Sequence, residues 1–388
     1  MQDVIIVGAG PVGLTAAVAL ARGGLDVLVL ERDEQLSDLP RASTFHPPTL
    51  EMLDRYGLAE GLLERGNRVT SIQYRERRSG PVAELDYGVL ADDTRFPFRL
   101  QCPQFHLAQL GAYQLTQLGG RLRFGAEVVE VQDDGEAVVT TVADGSRERA
   151  RWLIGADGAS SAVRGLVGIG FEGKTYPVRN LQIITPFPFE DRFADLAHVN
   201  YIFDPEEWCV VMRTPPQVWR VLFPLPDEEA ARAAEDRADV VRRLARLIDD
   251  DVDVAVDYHA IYTVHQRVAT TMRRGRVLLV GDAAHVNSPI GGMGMNSGIH
   301  DVFELVTPLL ATQQDPETSE LDAWAARRRQ VAQEQVGRHT DRNTRSLAIS
   351  DPVERERRNA ELRELAADRS RARAYLWSAS LMDAMPAR

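Results

Sequence analysis

Two glycine-rich segments near opposite ends of the chain constrain its fold more than any other feature: VIIVGAGPVGLTAAVALARGGLDVLVLERD from Val4 to Asp33, and VLLVGDAAHVNSPIGGMGMNSGIHD from Val277 to Asp301. Each is an apolar strand that runs into a glycine turn and then opens a helix. Such a junction turns unpaired backbone N–H groups and the positive end of a helix dipole toward an anion. The first segment reads strand, helix, strand, a βαβ unit, with Glu31 ending its second strand. In Gly8-x-Gly10-x-x-Gly13 the first glycine permits the tight turn. The second lets a pyrophosphate reach the backbone, and the third lets helix and strand pack closely. Gly8, Gly10, Pro11, Val12 and Gly13 are therefore read as phosphate-binding. Glu31, with Arg32 beside it, stands where a carboxylate accepts both hydroxyls of a ribose. This turn alone does not separate NAD from FAD. A second match, Gly168-x-Gly170-x-x-Gly173, has no apolar strand before it and Tyr176-Pro177 after it, so it reads as a loop.

At 388 residues the chain is longer than one hydrophobic core usually serves, so two packed domains or one elaborated α/β unit are expected. A formal charge of −12 argues against nucleic acid, whose phosphates need concentrated Lys and Arg. No run reaches the roughly 18 apolar residues of a membrane span, and the N-terminus enters a strand without a signal-peptide pattern, which points to a cytoplasmic protein. The two cysteines, Cys102 and Cys209, have no metal-like spacing, so reduced packing residues and no metal are expected.

Between the glycine segments, Pro48 to Tyr56 and Leu107 to Gln117 have helical periods. Ser71 to Phe98 alternates like strands, and Leu122 to Val131 with Ala137 to Ala143 reads as a strand pair turning at Asp133 to Gly135. Tyr176 to Tyr262 is extended and aromatic-rich (Phe187, Phe189, Tyr201, Phe203, Trp208, Trp219, Phe223), interrupted by an acidic helix near Asp227 to Asp249. Such strands would lid a flat ligand or simply form core. From Glu317 to Arg373 the chain is charged and helical, with i,i+4 pairs such as Glu334 with Arg338 and Glu354 with Arg358. Leu376, Trp377, Leu381 and Met382 read as a helix packed on its own core, with a dimer face as the alternative.

Two further segments decide the cofactor. WLIGADGASSAVR, Trp152 to Arg164, is a strand into Asp157-Gly158 and a serine-capped helix; RVLLVGD, Arg276 to Asp282, is another strand ending in an acid. Asp282 would accept a ribityl hydroxyl. Gly291, Gly292 and Gly294 would expose N–H groups at a helix start to an electron-rich flavin carbonyl. NAD has no ribityl chain for such a site.

Together these segments resemble the three fingerprints of FAD-dependent class A aromatic monooxygenases, the p-hydroxybenzoate hydroxylase type. Pro40-Arg41-Ala42 and Gln104 follow the same pattern, and the resemblance spans roughly residues 1 to 315. It implies an α/β fold: a Rossmann-like FAD-binding domain of the glutathione-reductase-2 type over residues 1–70, 101–175 and 270–315. An inserted, mostly β substrate domain would take 71–100 and 176–269, and a C-terminal helical region 316–388, without the thioredoxin-like domain that some members carry.

By the same resemblance, non-covalent FAD would lie with its pyrophosphate at Gly10 to Gly13 and its adenosine ribose on Glu31. Further contacts fall to Arg41, Gln104 and, through its backbone, Val128. Asp157 would be a structural and cofactor-side residue, Asp282 would hold the ribityl region, and the amides of Met295 and Asn296 would meet the isoalloxazine. Pro289 would line the oxygen pocket, with Tyr201 and His198 as further pocket candidates. NADH or NADPH would reduce FAD, and O2 would add at the flavin C4a to give a hydroperoxide that hydroxylates a phenolic or polyketide-like aromatic substrate. His285 and His46 invite a general-base reading, but the family pattern makes His285 structural. His259 is a third histidine of the aromatic-rich sheet. The helix after Asn296 departs from the family at Phe303, Glu304 and Thr307-Pro308, and a shortened helix is expected there. A Baeyer–Villiger oxygenase, an epoxidase, a geranylgeranyl reductase-type enzyme or a flavin-binding protein without turnover are the alternatives. A halogenase is disfavoured because Trp208 and Trp219 do not form WxWxIP. The chain is expected to be a monomer or homodimer.

Overall fold

The structure, a computed structural model, describes residues 1–249, 254–312, 319–336 and 345–385. Its first sheet grows outward from Gln2–Val7, a strand apolar on both faces, as a parallel strand covered on both sides requires. The parallel order is Val277–Leu279, Arg147–Gly155, Gln2–Val7, Val27–Leu30, Arg121–Arg123. An antiparallel hairpin, Val128–Asp133 with Val138–Val142, hangs from Arg147–Gly155. Because these strands are parallel, their carboxyl ends share one edge, and Gly8, Glu31, Asp157 and Asp282 all follow a strand at that edge. In open α/β sheets ligands bind outside this edge.

Helices Pro11–Arg22 and Met293–Ala311 pack on the sheet and on each other. Their approach depends on missing side chains. A Cβ on Gly298 would lie 2.7 Å from Val12 Cγ2 and 2.9 Å from Gly281 Cα. Helix Glu320–Val331 belongs to the same core through Leu321, Trp324 and Ala325, so this core extends beyond residue 315.

The second sheet has eight strands, in the order His285–Val286, Tyr258–Ala269, Phe171–Thr185, Val218–Leu225, Cys209–Thr214, Val199–Phe203, Ser71–Glu76, Gly80–Asp86. Period-2 alternation divides its aromatic residues between two faces. Phe189, Trp219 and Phe223 join Leu181, Ile183 and Ile202 in a core that packs on helices Glu228–Ala233 and Arg237–Ile248. Tyr74, Tyr201, Phe203 and Trp208 lie on the other face with Leu222 and Ile290. Helices Pro352–Ala367 and Arg369–Ala379 cover part of that face. The aromatic set is thus divided between two cores, one on each face of the sheet.

Three expectations are corrected, for the second glycine helix, the Glu354 pair and the acidic helix. The second glycine helix is not shortened: it runs to Ala311 with Pro308 inside it, because burial of Leu305, Pro308 and Leu309 offsets the one backbone hydrogen bond that proline forfeits. Arg358 does not pair with Glu354; it reaches across to Glu76 at 2.8 Å, and Glu354 meets Arg357. Arg338 lies outside the described residues. The acidic helix is two helices with Asp236 capping the second. Leu376, Leu381 and Met382 are buried in the protomer. The second GxGxxG match is a turn leading into Phe171–Thr185, where a Cβ on Gly173 would sit 2.0 Å from Gln266 O. Among the described residues no helix is long and apolar enough to cross a membrane, and no cluster of His, Cys, Asp and Glu is placed to hold a metal.

Candidate functional site

At the sheet edge the glycines of the first turn have different jobs. A Cβ on Gly8 would meet Ala156 O at 2.5 Å and one on Gly13 would meet Gly8 O at 2.1 Å, so both are demanded by packing. Gly10 has nothing within 4 Å of its missing Cβ. It caps the N-terminus of helix Pro11–Arg22 and opens onto free space, so the amides of Val12 and Gly13 stay available to a phosphate. Glu31 accepts from Ala9 N–H (2.7 Å) and Asp33 N–H (3.0 Å), which aims its carboxylate along the turn. Arg32 is exposed beside Asp33. Val128 is buried on the hairpin that runs past Glu31, where Ala126 N–H donates to Glu31 O. Gln104 caps helix Phe105–Gln117 and its N–H donates to Ala42 O, which ties it to the Arg41 loop.

Asp157 caps the helix that follows it: Ser161 Oγ donates to one carboxylate oxygen (2.6 Å) and Val163 N–H to the other (3.0 Å). Arg164 on that helix donates to Ala283 O, which joins the GADG segment to the GD turn.

Asp282 is surrounded by protein yet open to solvent, as a group on the floor of a cleft would be. Burial raises its pKa, against the opposing charges of His285 and Arg41. Arg41, distant in sequence, is thus one of the charges that act on this group. Gly294 closes the group, since a Cβ there would lie 3.2 Å from Asn287 Oδ1 and 3.9 Å from Asp282 Oδ1. The following helix starts at Met293, so Met293, Gly294 and Met295 have N–H groups without an intrahelical acceptor. Asn296 uses its side chain to brace the turn: Oδ1 accepts from His46 N–H, and Nδ2 donates to Thr44 O and Gly292 O. Pro289 O accepts from Gly292 N–H in the same loop. A cavity of about 370 Å³ lies alongside, lined by Lys174, Gln266, His285 and Asn287 among others.

Neither histidine is arranged as a general base. His285 Nε2 is 2.7 Å from Asp301 Oδ2, and the same oxygen accepts from Gly281 N–H at 3.0 Å, so the pair holds the GD turn. Asp301 is held below its usual range: burial alone would raise it, but His285 and Arg328 outweigh that. Arg328 is fully buried and reaches Asp301 Oδ1 at 2.7 Å and Glu304 Oε1 at 3.0 Å. His46 is kept neutral by burial, reinforced by Arg99, and bonds Gly291 O through Nε2.

On the face that carries Ile290 in its core, Tyr201 stacks on Tyr74 (ring centroids 5.2 Å), and Tyr74 Oη lies 2.7 Å from Tyr375 Oη of a C-terminal helix. Arg99 is buried among Tyr74, Tyr87 and Tyr201; burial opposes its charge, but these tyrosines hold its pKa above the ordinary arginine range. Arg220, also buried, donates to Arg41 O and Pro40 O and so fastens the second sheet to the Arg41 loop. His198 is not brought to this face; it is exposed beside Arg213, and His259 pairs with Ile183 on the helix-covered side. Arg99, Tyr74, Tyr87, Tyr375 and Arg220 escaped the sequence reading. The one local signal was Arg99 itself, a cation inside the apolar run Phe96 to Leu100.

The residues present fit an extended flavin dinucleotide: an open glycine cradle, an acid at each of the two strand ends flanking it, and three free amides at a second helix start. The comparisons agree. The FAD binding domain family model matches residues 1–339. The chain is 34% identical over 385 residues to para-nitrophenol 4-monooxygenase of Pseudomonas sp. (strain WBC-3), covering 97% of this chain and 94% of that protein. The crystal structure of p-nitrophenol 4-monooxygenase from Pseudomonas putida DLL-E4 superposes with a TM-score of 0.89 at 32% identity, covering 98% of both chains. Aklavinone-11 hydroxylase, solved with FAD and aklavinone, gives 0.77 at 27% identity over 86% of this chain and 67% of that one.

Proposed function

The chain belongs to the FAD binding domain family, as one of its flavin-dependent aromatic monooxygenases, and on that premise we propose that it hydroxylates a small single-ring phenol. It is an enzyme that uses FAD, NAD(P)H and O2. The observation that carries the substrate reading is the tyrosine-lined face of the second sheet, which shares a core with Ile290 at the start of the second glycine helix. The relative named for para-nitrophenol supports it.

FAD, when bound, supplies the redox and oxygen chemistry that no side chain can. The protein's own parts bind, orient and exclude water. Val12 and Gly13 amides would take the pyrophosphate, Glu31 the ribose, and Asp282 with Arg41 the ribityl end. Amides of Gly294 and Met295 would favour negative charge on the ring, as preorganised donors do. Pro289 and Tyr201 would border the reacting ring. Arg220 keeps the Arg41 loop against the substrate sheet, so both partners share one frame. The balance is one NAD(P)H, one proton and one O2 consumed per phenol, giving NAD(P)+, water and a product with one more oxygen atom. The division into a discontinuous cofactor domain, an inserted β domain and a helical C-terminal region is our reading, as are a cytoplasmic location and a monomeric or dimeric state. The two buried, unpaired cysteines support that location.

The test is NADH and NADPH consumption across a small library of phenols and fused-ring aromatics, with product masses recorded. Phenol-stimulated consumption with an oxygenated product is expected. Consumption that yields only hydrogen peroxide with every compound would overturn the hydroxylase reading.

A further inference from the structure

Apart from Arg99, the buried arginines among the described residues are compensated: Arg328 by Asp301 and Glu304, Arg358 by Glu76, Arg243 by Asp239 and Glu207, Arg75 by Gln73 Oε1 and Ala194 O, and Arg220 by backbone carbonyls. A buried charge without such a partner is costly. Arg99 is 3% exposed, yet among the described residues no carboxylate or carbonyl lies within hydrogen-bonding distance of its side chain, and its Nε has no partner. Tyr87 lies against it, with the guanidinium carbon 5.4 Å from the ring centroid, and Tyr201 and Tyr74 complete the surround.

The position of this lone cation is informative. Arg99 opens a strand whose next residue, Leu100, pairs with Phe45, and His46 follows on the partner strand. His46 is bonded to Asn296 and Gly291 at the second glycine helix. Tyr87, Tyr201 and Ile290 share one core. An anion on Arg99 would therefore lie between the tyrosine face and the helix start to which the cofactor ring is assigned.

We propose that Arg99 is the counter-cation of the substrate site and that the enzyme takes its phenol as the anion, so that acidic phenols bearing electron-withdrawing groups are the preferred class. This rests on the hydroxylase reading above. A phenolate is a richer electron donor at its ortho and para carbons than the neutral phenol, and one charge-assisted hydrogen bond from the guanidinium completes what the buried charge lacks. The phenol's proton leaves to solvent on binding. The titratable groups facing Arg99 are Tyr87, Tyr201 and Tyr74, with Tyr375 behind Tyr74 and His46 beside it. Burial pushes the Tyr74 and Tyr87 hydroxyls up and holds His46 uncharged near neutral pH, so none of these three supplies a competing anion.

The test uses the FAD-loaded, oxidised enzyme without NAD(P)H. 4-Nitrophenol reports its own ionisation by absorbance, and 4-nitroanisole has the same ring but cannot ionise. Wild type should lower the apparent pKa of bound 4-nitrophenol by about 1 to 3 pH units and prefer it to the anisole by roughly 10- to 100-fold. Arg99→Met should abolish both effects, and Arg99→Lys should restore part of each, with FAD content unchanged. A bound ligand that titrates as it does in buffer, or an Arg99→Met variant that keeps the preference, overturns the assignment. Should Arg99→Met not fold, the Arg99→Lys and wild-type titrations decide alone. Ionisation on binding without any hydroxylated product would instead defeat the hydroxylase reading and leave Arg99 standing.

Discussion

A glycine is informative only through what its missing Cβ would meet, and the first turn separates two meanings of one motif. Gly13→Ala forces a Cβ to 2.1 Å from Gly8 O, so the apoprotein itself should lose about 1–3 kcal/mol. Gly10→Ala meets no protein atom and its backbone suits any residue (φ −72°, ψ 176°). It should leave apoprotein melting nearly unchanged while weakening FAD binding by at least tenfold (~1.4 kcal/mol), because only a ligand occupies that space. Calorimetry of both apoproteins with FAD titrations checks the contrast; equal destabilisation by the two would refute it. The motif was legible in the sequence because turn and helix are local. Arg99 was not, because its meaning depends on Tyr74, Tyr87 and Tyr201, which arrive from other strands and turns.

A second residue-scale effect concerns acid. His300 is fully buried, neither ring nitrogen has a partner, and burial first, then Arg328, push its pKa down to about 3. His46 is lowered in the same direction. Folded-state values below the unfolded value near 6.5 mean that the unfolded chain binds more protons. Stability is therefore present above pH 6.5 and is lost as pH falls below it, by up to about 1.4 kcal/mol per pH unit for each histidine. His300→Leu should remove one histidine's share of that slope between pH 6.5 and 4. Denaturant melts at several pH values measure it, and an unchanged slope would contradict the burial argument.

Among elements, the second glycine helix shows where pattern reading fails. Pro308 argued for an early stop, but thirteen buried positions along Met293–Ala311 hold the helix through it. The helix that follows, Glu320–Val331, lies in the stretch that the sequence marks only as charged and helical. In the structure Trp324 Nε1 donates to Asp301 O, and Arg328 is the cation that keeps Asp301 ionised beneath the GD turn. Spacing along one helix cannot reveal a partner on another. Arg328→Met should cost about 3–5 kcal/mol, because it leaves buried Asp301 without its guanidinium and Glu304 with only the half-exposed Arg327. It should also weaken FAD binding, since Asp301 holds Gly281 N–H and His285. Adding Glu304→Gln to Arg328→Met should recover part of the stability. A double variant no more stable than the single would assign the cost to lost packing instead.

For the molecule as a whole, the Rossmann-like half was readable because its strands are apolar and its turns carry glycines at fixed spacing. The lid half was not, since alternating strands do not state which neighbour they join, and only the fold places Ser71–Glu76 beside Val199–Phe203. The C-terminal helices dock on this lid through Glu76, which receives Arg355, Arg358 and Asn359, and through Asp93, which receives Arg373. Tyr375, which meets Tyr74, is carried by the same docked pair. The helices therefore support the tyrosine face from a core that is separate from the one holding the glycine helices. Glu76→Gln leaves Arg358 buried without a countercharge and should loosen this docking by about 3 kcal/mol or more. If the two cores are energetically separate, the variant should show faster proteolysis within residues 352–379 and weaker 4-nitrophenol binding, with its FAD affinity within about twofold of wild type. Parallel loss of FAD would mean that lid and cofactor core respond as one unit. Arg220, which fastens Pro40 and Arg41 to the substrate sheet, would then be the link that transmits the change.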